Sequence, residues 1–334
     1  MASIKTKTRS PFFFALAFVL FVHTAGYLSI KEIPVENGRS FQGSVIQGNV
    51  SSDIFWEGYD TEDIYRLFDR HIALSRQAVA DGADIIFWPE FSVPLCLSCP
   101  APIYQDLGER LKTFARESKI SLLVGSNETA FAADHEEMYF FNTAVHINPD
   151  LSMSQYHKNH LVPFGEYTPY KAIFSFIKKI TNSVGELTPG HTQLVHPWNG
   201  LAYGSPICYE IIFPNLVRKF TTRGAHFLVT ITNDAWFGAS AAPRQHFAIA
   251  LLRAVENRRF LLRAATTGIS GVIDPYGRVV ARSEINTETA LTETITPLER
   301  ITFYTRFGDW LAFTALTICG LFLILAWTRK RKQS

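Results

Sequence analysis

Residues 310–327 constrain this chain more than any other stretch. They carry no formal charge, a tryptophan stands at each end, and Arg329-Lys330-Arg331-Lys332 follows. Aromatic rings at both interfaces and a basic cluster on one side describe a transmembrane helix with its tail in the cytoplasm. A buried core helix would not need that basic stop. A second uncharged run, 12–30, follows Lys5, Lys7 and Arg9. Its length suits a span of about 20 residues and fits an uncleaved anchor. A secretory signal peptide cut near Thr24-Ala25-Gly26 is the alternative. If both runs span, both termini are cytoplasmic and residues 31–309 lie outside the inner membrane.

The tails also explain the charge. The 334 residues sum to +2, but seven basic side chains sit in the two tails, so the remainder carries −5. Phosphate binding needs a basic face on the folded part, and a nucleic-acid partner is therefore not expected. Hydrophobic residues make up 47%, enough for a packed core, which excludes intrinsic disorder. Four cysteines in this length are too few for a disulfide scaffold.

Between the anchors, strand-like and helix-like segments alternate. Residues 44–47 form a short β-rich run. In 61–80 the apolar residues Ile64, Leu67, Phe68, Ile72, Ala73 and Val79 recur near a 3.6 period, which predicts an amphipathic helix. A continuous apolar strand over 84–88 ends at Pro89-Glu90, and a helix over 104–119 leads to a strand at 121–125. Strands at 140–147 and 153–157 flank the turn Asn148-Pro149-Asp150. Strand 204–207, helix 215–221, strand 227–232 and helix 244–258 follow. Strands at 261–265, 271–273 and 279–281 come last, the final two joined by Asp274-Pro275-Tyr276-Gly277. No internal repeat is visible. The alternation predicts one α/β domain with buried sheets.

Three residues follow strand ends, where active sites concentrate: Glu90, Lys158 and Cys208. Singly, each has an ordinary explanation as a turn residue, a surface lysine and a small core side chain. Together they offer a base, a cation and a nucleophile for thiol-based acyl transfer. A free thiol has a pKa of about 8.5, so it needs a proton acceptor at neutral pH. Glu90 could take that proton and return it to the leaving group. Lys158 and the backbone N–H of Tyr209 could stabilise a tetrahedral oxyanion. Cys208, ahead of a helix, would also feel the helix N-terminus, which favours thiolate.

The order Glu-Lys-Cys, at intervals of 68 and 50 residues, resembles the triad of the nitrilase, or carbon–nitrogen hydrolase, superfamily. Longer motifs resemble its apolipoprotein N-acyltransferase family: Trp88-Pro89-Glu90, Lys158-Asn159-His160-Leu161-Val162-Pro163-Phe164-Gly165-Glu166, Ile207-Cys208-Tyr209-Glu210 and Asn233-Asp234-Ala235-Trp236-Phe237-Gly238. Gln245-His246-Phe247, Arg253-Ala254-Val255-Glu256 and Gly268-Ile269-Ser270 extend the likeness, which covers roughly four-fifths of the chain.

The resemblance implies an α-β-β-α sandwich over 41–297, an N-terminal segment 1–30, a transmembrane helix 310–327 and a basic cytoplasmic tail 328–334. It implies an enzyme of the bacterial inner membrane with its domain on the periplasmic side. This enzyme would take an acyl chain from a phospholipid onto Cys208 as a thioester and pass it to the α-amino group of a lipoprotein's diacylglyceryl-cysteine. No metal or organic cofactor is implied. Glu166, Tyr209 and Glu210 match supporting positions, and Trp56, Trp236 and Phe237 are expected in the acyl pocket. Family members carry several membrane helices ahead of the domain where this chain has at most one, so a partner chain supplying others is also expected. A membrane-tethered amidase using the same triad is the alternative activity, and a non-catalytic lipid-binding scaffold is the third.

Other signals are weaker. Residues 170–180 place Tyr170, Ile173, Phe174, Ile177 and Ile180 on one helical face, suited either to headgroup contact or to core packing. Cys96 and Cys99 lack the partners of a zinc site and could pair in an oxidising compartment. His157 and His160 are thin evidence for metal, and Cys319 reads as a packing residue within the membrane helix.

Overall fold

A computed structural model describes residues 10–30, 39–50, 60–91, 93–131, 138–170, 186–238 and 240–331. Helix α1, Ser10–Ser29, belongs to a compact unit running from Met1 to Pro34. Its stretch Phe12–Ser29 is exposed, and long and apolar enough to cross a membrane.

The second unit, Val35–Ser334, begins with β1 (Phe41–Gln47), α2 (Thr61–Ala80), β2 (Ile85–Phe87), α3 (Pro102–Ser118) and β3 (Ser121–Phe131). Strands β4 (Met138–Ile147), β5 (Met153–His157), β6 (Val195–Trp198) and β7 (Leu201–Gly204) follow. Next come α4 (Pro214–Thr222), β8 (Phe227–Thr232), α5 (Ala242–Asn257), β9 (Leu261–Ala265), β10 (Gly271–Ile273), β11 (Val279–Arg282) and β12 (Thr289–Ile295). A short α6 (Phe303–Phe307) leads into α7 (Trp310–Arg331).

Local chemistry sets the helices. The Asp60 side chain accepts the Asp63 N–H and starts α2. The buried face of α2 then runs Ile64, Leu67, Phe68, His71, Ile72, Ser75 and Ala78, the stripe expected from its periodicity. Lys119, in the left-handed region, ends α3. Both helices pack on one sheet through a core containing Phe68, Trp88, Leu111, Leu122 and Val145.

Among the described residues the strands form two six-stranded sheets, ordered β12-β1-β2-β3-β4-β5 and β11-β10-β9-β8-β7-β6. Aromatic rings fill the space between them. Phe41 of β1 meets Trp198 of β6 at 4.6 Å, Phe87 of β2 meets Tyr203 of β7 at 5.7 Å, and Tyr203 stacks on Phe227 of β8 at 5.0 Å. The result is an α-β-β-α sandwich, as the resemblance implies.

The sheets share one plan. In each, three central strands are parallel, crossed over by helices, with antiparallel strands outside: β1-β2-β3 in one and β7-β8-β9 in the other. The chain shows no sequence repeat, yet its topology repeats. Only the pattern of apolar strand and amphipathic helix is needed for that, not residue identity.

Two strands escape a reading of the sequence. Val195–Trp198 contains Pro197, which demotes a run to an edge strand, and β6 is indeed an edge. It pairs with β7 across Asn199-Gly200, so the strand expected at 204–207 ends at Gly204 instead. Strand β12 is partly exposed and lacks a continuous apolar run. Residues 171–185 lie outside the described residues, and with them most of the amphipathic stretch 170–180.

Helix α7 leaves the domain fully exposed, and its stretch Trp310–Arg329 is long and apolar enough to cross a membrane. Its root is tied down. Phe303 contacts Phe307 and Trp310 at 4.5 and 5.1 Å, Thr302 Oγ1 donates to the Glu256 carbonyl at 2.6 Å, and Arg218 Nη1 donates to the Thr305 carbonyl at 3.2 Å.

Gly125 in β3 shows how tightly the strand ends are packed. A Cβ there would lie 2.6 Å from the Pro89 carbonyl oxygen and 2.8 Å from the Glu90 Cα. Both are backbone atoms that cannot swing aside. Gly125→Ala is therefore expected to lower stability by about 1–3 kcal/mol and to displace Glu90. An unchanged urea midpoint would show that this contact has slack.

Candidate active site

Lys158 follows the last residue of β5 and is buried, at 1% exposure, between two carboxylates. Its Nζ donates to Glu166 Oε1 at 2.6 Å and to Glu90 Oε1 at 3.3 Å. Desolvation pulls the ammonium toward neutrality, but the two carboxylates together outweigh it and raise its pKa above the ordinary lysine value. A tight turn, in which the Glu166 N–H bonds to the Val162 carbonyl at 2.9 Å, brings Glu166 back beside Lys158. Glu166 Oε2 accepts the Val162 N–H at 2.8 Å.

Glu90 is fixed from three directions. Asn142 Nδ2 donates to Oε1 at 2.6 Å along with Lys158, and the Asn233 N–H donates to Oε2 at 2.8 Å. Asn142 comes from β4 and Asn233 from the end of β8, so both sheets aim this carboxylate. Phe91, the next residue, has φ +50°, which turns the chain away.

Cys208 opens a 3-10 turn, Cys208–Ile212, after the bridge residue Ile207, and its φ is +49°. A residue with a Cβ pays for that conformation, so its surroundings must impose it. The thiol is buried. Burial, and then the Glu90 charge, push its pKa above the ordinary thiol range against the pull of Lys158. This reverses the expectation that a helix N-terminus would favour thiolate. The five-residue turn brings little dipole, and desolvation is the larger effect.

Glu210, at the third position of this turn, links it to the loop after Lys158. Its Oε1 accepts the N–H groups of Asn159 and His160 at 2.7 and 3.0 Å, its Oε2 accepts the Ile207 N–H at 2.8 Å, and the Tyr156 hydroxyl donates to both oxygens. Desolvation lifts Glu210 to about 7 even with those donors around it. One carboxylate thus holds the Lys158 loop of one sheet against the Cys208 turn of the other.

Glu90, Glu166, Cys208 and Tyr209 line one cavity of about 390 Å³. Phe91, Val162, Ile212, Trp236, Phe237 and Ile249 make most of its remaining wall. Trp236 and Phe237, expected in an acyl pocket, are therefore at the cavity. Trp56 lies outside the described residues. Cys96 and Cys99 are disulfide-bonded. His157 bonds to Thr143 Oγ1 at 2.8 Å, and His160 packs against Phe213 with ring centres 3.9 Å apart and planes tilted by 43°.

The sequence reading does not single out a second buried cluster. Arg263 Nη2 donates to both Asp234 oxygens at 3.0 and 2.8 Å, and His246 places Nδ1 3.2 Å from Asp234 Oδ1 and Nε2 3.2 Å from the Cys208 carbonyl oxygen. Burial opposes ionisation of Asp234, but Arg263 and His246 overcome it and hold the carboxyl at about 2. The run Leu261-Leu262-Arg263-Ala264-Ala265 carries the signal: a charge in a buried strand demands a counter-charge.

The fold and these neighbouring side chains define a class, an α-β-β-α sandwich that gathers a carboxylate, a buried ammonium and a thiol at its strand ends, with Glu90, Glu166 and Cys208 but not Lys158 lining the cavity. The carbon-nitrogen hydrolase profile matches residues 44–303, and the chain belongs to that family. It is 36% identical over 319 residues to the apolipoprotein N-acyltransferase of Geobacter metallireducens, covering 94% of this chain and 59% of that protein. It is 32% identical over 303 residues to the enzyme of the same name from Methylococcus capsulatus, covering 89% and 56%. The chain thus spans little more than half the length of these relatives. Among solved structures, Saccharomyces cerevisiae Nit3, a member of the nitrilase superfamily, superposes with TM-score 0.58 at 19% identity. That match covers 78% of this chain and 91% of Nit3, and shares the fold.

Removing one partner of the Asp234–Arg263 pair leaves a buried charge uncompensated. Asp234→Asn should cost about 3–5 kcal/mol at pH 7. Because folding depresses the Asp234 pKa from 3.8 to about 2, the wild-type advantage is complete above pH 3.8 and fades as pH falls toward 2. Urea unfolding of both proteins across that range checks the sign. A gap that stays constant down to pH 2 would contradict it.

Proposed function

We propose that residues 41–297 form the catalytic domain of an apolipoprotein N-acyltransferase, with 310–327 as its membrane helix and 328–334 as its tail. It moves a fatty acyl chain from a phospholipid through Cys208 to the α-amino group of a lipoprotein's N-terminal diacylglyceryl-cysteine. The observation that carries this reading is the cavity, where a thiol and two carboxylates meet a wall that is otherwise largely apolar and aromatic. Such a wall suits an acyl ester better than a small polar amide. The name shared by the relatives points the same way.

In the first half-reaction Glu90 accepts the thiol proton as sulfur attacks the ester carbonyl carbon. A C–S bond forms and the carbonyl π pair moves to oxygen, where the Lys158 ammonium and the Tyr209 N–H stabilise it. Collapse restores the carbonyl and breaks the C–O bond. Glu90 returns its proton to the departing alkoxide, and a lysophospholipid leaves. In the second half the amine attacks the thioester carbon, a C–N bond replaces C–S, and the amine proton passes through Glu90 to the sulfur. Both halves balance without a metal or organic cofactor.

The domain is proposed to face the outer side of the bacterial inner membrane, with the tail cytoplasmic. The basic run 329–332 at the end of α7 supports that orientation, and the Cys96–Cys99 disulfide suits an oxidising compartment.

Detergent-purified protein mixed with acyl-labelled phosphatidylethanolamine should acquire a hydroxylamine-sensitive label on Cys208, visible by mass spectrometry. A diacylated lipopeptide should then discharge that label onto its amine. Cys208→Ala is expected to abolish labelling and Cys96→Ala to leave it largely intact. Equal loss in both variants would remove Cys208 as nucleophile, and release only as free acid would favour an amidase.

A further inference from the structure

The mechanism leaves the Asp234–Arg263–His246 cluster unused, although His246 lines the same cavity as Cys208. His246 is buried on α5, and its Nε2 lies 3.2 Å from the Cys208 carbonyl oxygen. A carbonyl only accepts, so Nε2 carries the proton. At Nδ1 the ring faces Asp234 Oδ1 at 3.2 Å and Arg263 Nη2 at 3.1 Å. A neutral ring accepts there from Arg263, and a charged ring donates to Asp234. In both states Nε2–H stays aimed at Cys208.

The Cys208 carbonyl is one end of a planar peptide whose other end is the Tyr209 N–H. In a trans peptide the two point in opposite directions, so anchoring the carbonyl on His246 aims the N–H away from it. Tyr209 is the second residue of the 3-10 turn, and first-turn N–H groups have no acceptor within their own helix. Its N–H is thus a donor held ready by the bond behind it. That bond also polarises the amide, strengthening the donor in a buried setting. The left-handed φ of Cys208 requires such an external hold.

We propose that His246 is a positioning residue that fixes the Cys208–Tyr209 peptide so that the Tyr209 N–H serves the oxyanion, with Asp234 and Arg263 orienting the imidazole. The proposal rests on Cys208 being the acyl-accepting thiol, but not on which donor supplies the acyl group.

Two reactions of the same sulfur separate this role from general support of the fold. Acylation by a p-nitrophenyl ester passes through a tetrahedral oxyanion, whereas alkylation by iodoacetamide is a direct displacement at carbon and does not. In the full-length protein in detergent, His246→Leu should slow ester acylation of Cys208 by about 10²-fold. Alkylation should change less than about threefold, the proportion expected when only the oxyanion step needs the donor. His246→Gln, whose amide N–H can take the place of Nε2–H, should recover most of the acylation rate. His246→Asn, too short to reach, should behave like the leucine variant and substitutes for it if that protein does not fold. Parallel loss of both reactions, unchanged acylation, or no recovery with glutamine would each overturn the proposal. Wild-type protein that acylates from the ester but not from phospholipid would instead count against the proposed donor and leave this inference standing.

Discussion

The Lys158 ammonium, sealed between the Glu90 and Glu166 carboxylates, is the constraint on which the rest of this structure depends. Burying three ions costs several kcal/mol each, and a well-packed apolar replacement is often as stable. Such a cluster is therefore weak evidence for stability and better evidence for chemistry. Its donors are arranged accordingly: Asn142, the Asn233 N–H and the Val162 N–H each satisfy one carboxylate oxygen that the lysine does not fully occupy. With one ammonium and two carboxylates the cluster carries a net charge of −1. A thiolate beside it would make −2, which is why Cys208 is pushed toward the neutral thiol. In the proposed reaction the thiol proton moves onto Glu90 and the total stays at −1. Charge would then be redistributed inside the cluster rather than added to it, and an electrophile would meet a thiolate only as the proton leaves.

Alignment of that transfer needs two sheets to stay in register at their ends. Glu90 and Lys158 come from one sheet, Cys208 from the other. Glu210 joins them by accepting N–H groups from both loops, and Glu90 joins them again through Asn142 of β4 and Asn233 beyond β8. The aromatic layer of Phe41, Phe87, Tyr203 and Phe227 supplies the rigid body beneath these bonds. Backbone donors and buried rings tolerate little sliding, and Gly125 allows no side chain between β3 and the Glu90 turn. Precision at the sulfur thus derives from close packing several residues away.

Much of this is legible in the amino-acid pattern alone. Strands 227–232 and 261–265 follow from apolar runs, strand 153–157 from the turn Asn148-Pro149-Asp150 before it and the helix at 61–80 from a 3.6 period, and β8, β9, β5 and α2 have those bounds. Glu90, Lys158 and Cys208 stand out because each comes after a predicted strand. What stays hidden depends on long-range contact. Asn142 sits inside β4 with nothing local to mark it. Asn233 acts through its backbone N–H, which any residue but proline possesses. His246 is isolated from Asp234 and Arg263 in sequence and meets them only when α5 packs against β9 and the turn that follows β8. The direction of the Cys208 pKa escapes for the same reason: the helix that follows is visible in a sequence, but the depth of burial is not.

The repeated topology sharpens the contrast between the two clusters. Glu90 follows the middle parallel strand of one sheet, β2, and Asp234 follows the middle parallel strand of the other, β8. Each is crowded by a glycine, Gly125 near Glu90 and Gly268 near Asp234, where a Cβ would come within 2.0 Å of a carboxylate oxygen. Equivalent places in the fold thus hold a buried acid apiece, but their partners differ. Glu90 shares an ammonium with a second carboxylate and lines the cavity together with Cys208. Asp234 is matched by a guanidinium that holds its charge at all ordinary pH, and its carboxyl is depressed to about 2. The first acid is the proposed proton acceptor for Cys208, whereas the second is held in a buried ion pair. One topology therefore yields the proposed reactive site on one side and a fixed electrostatic support on the other, and the sulfur sits where the two meet.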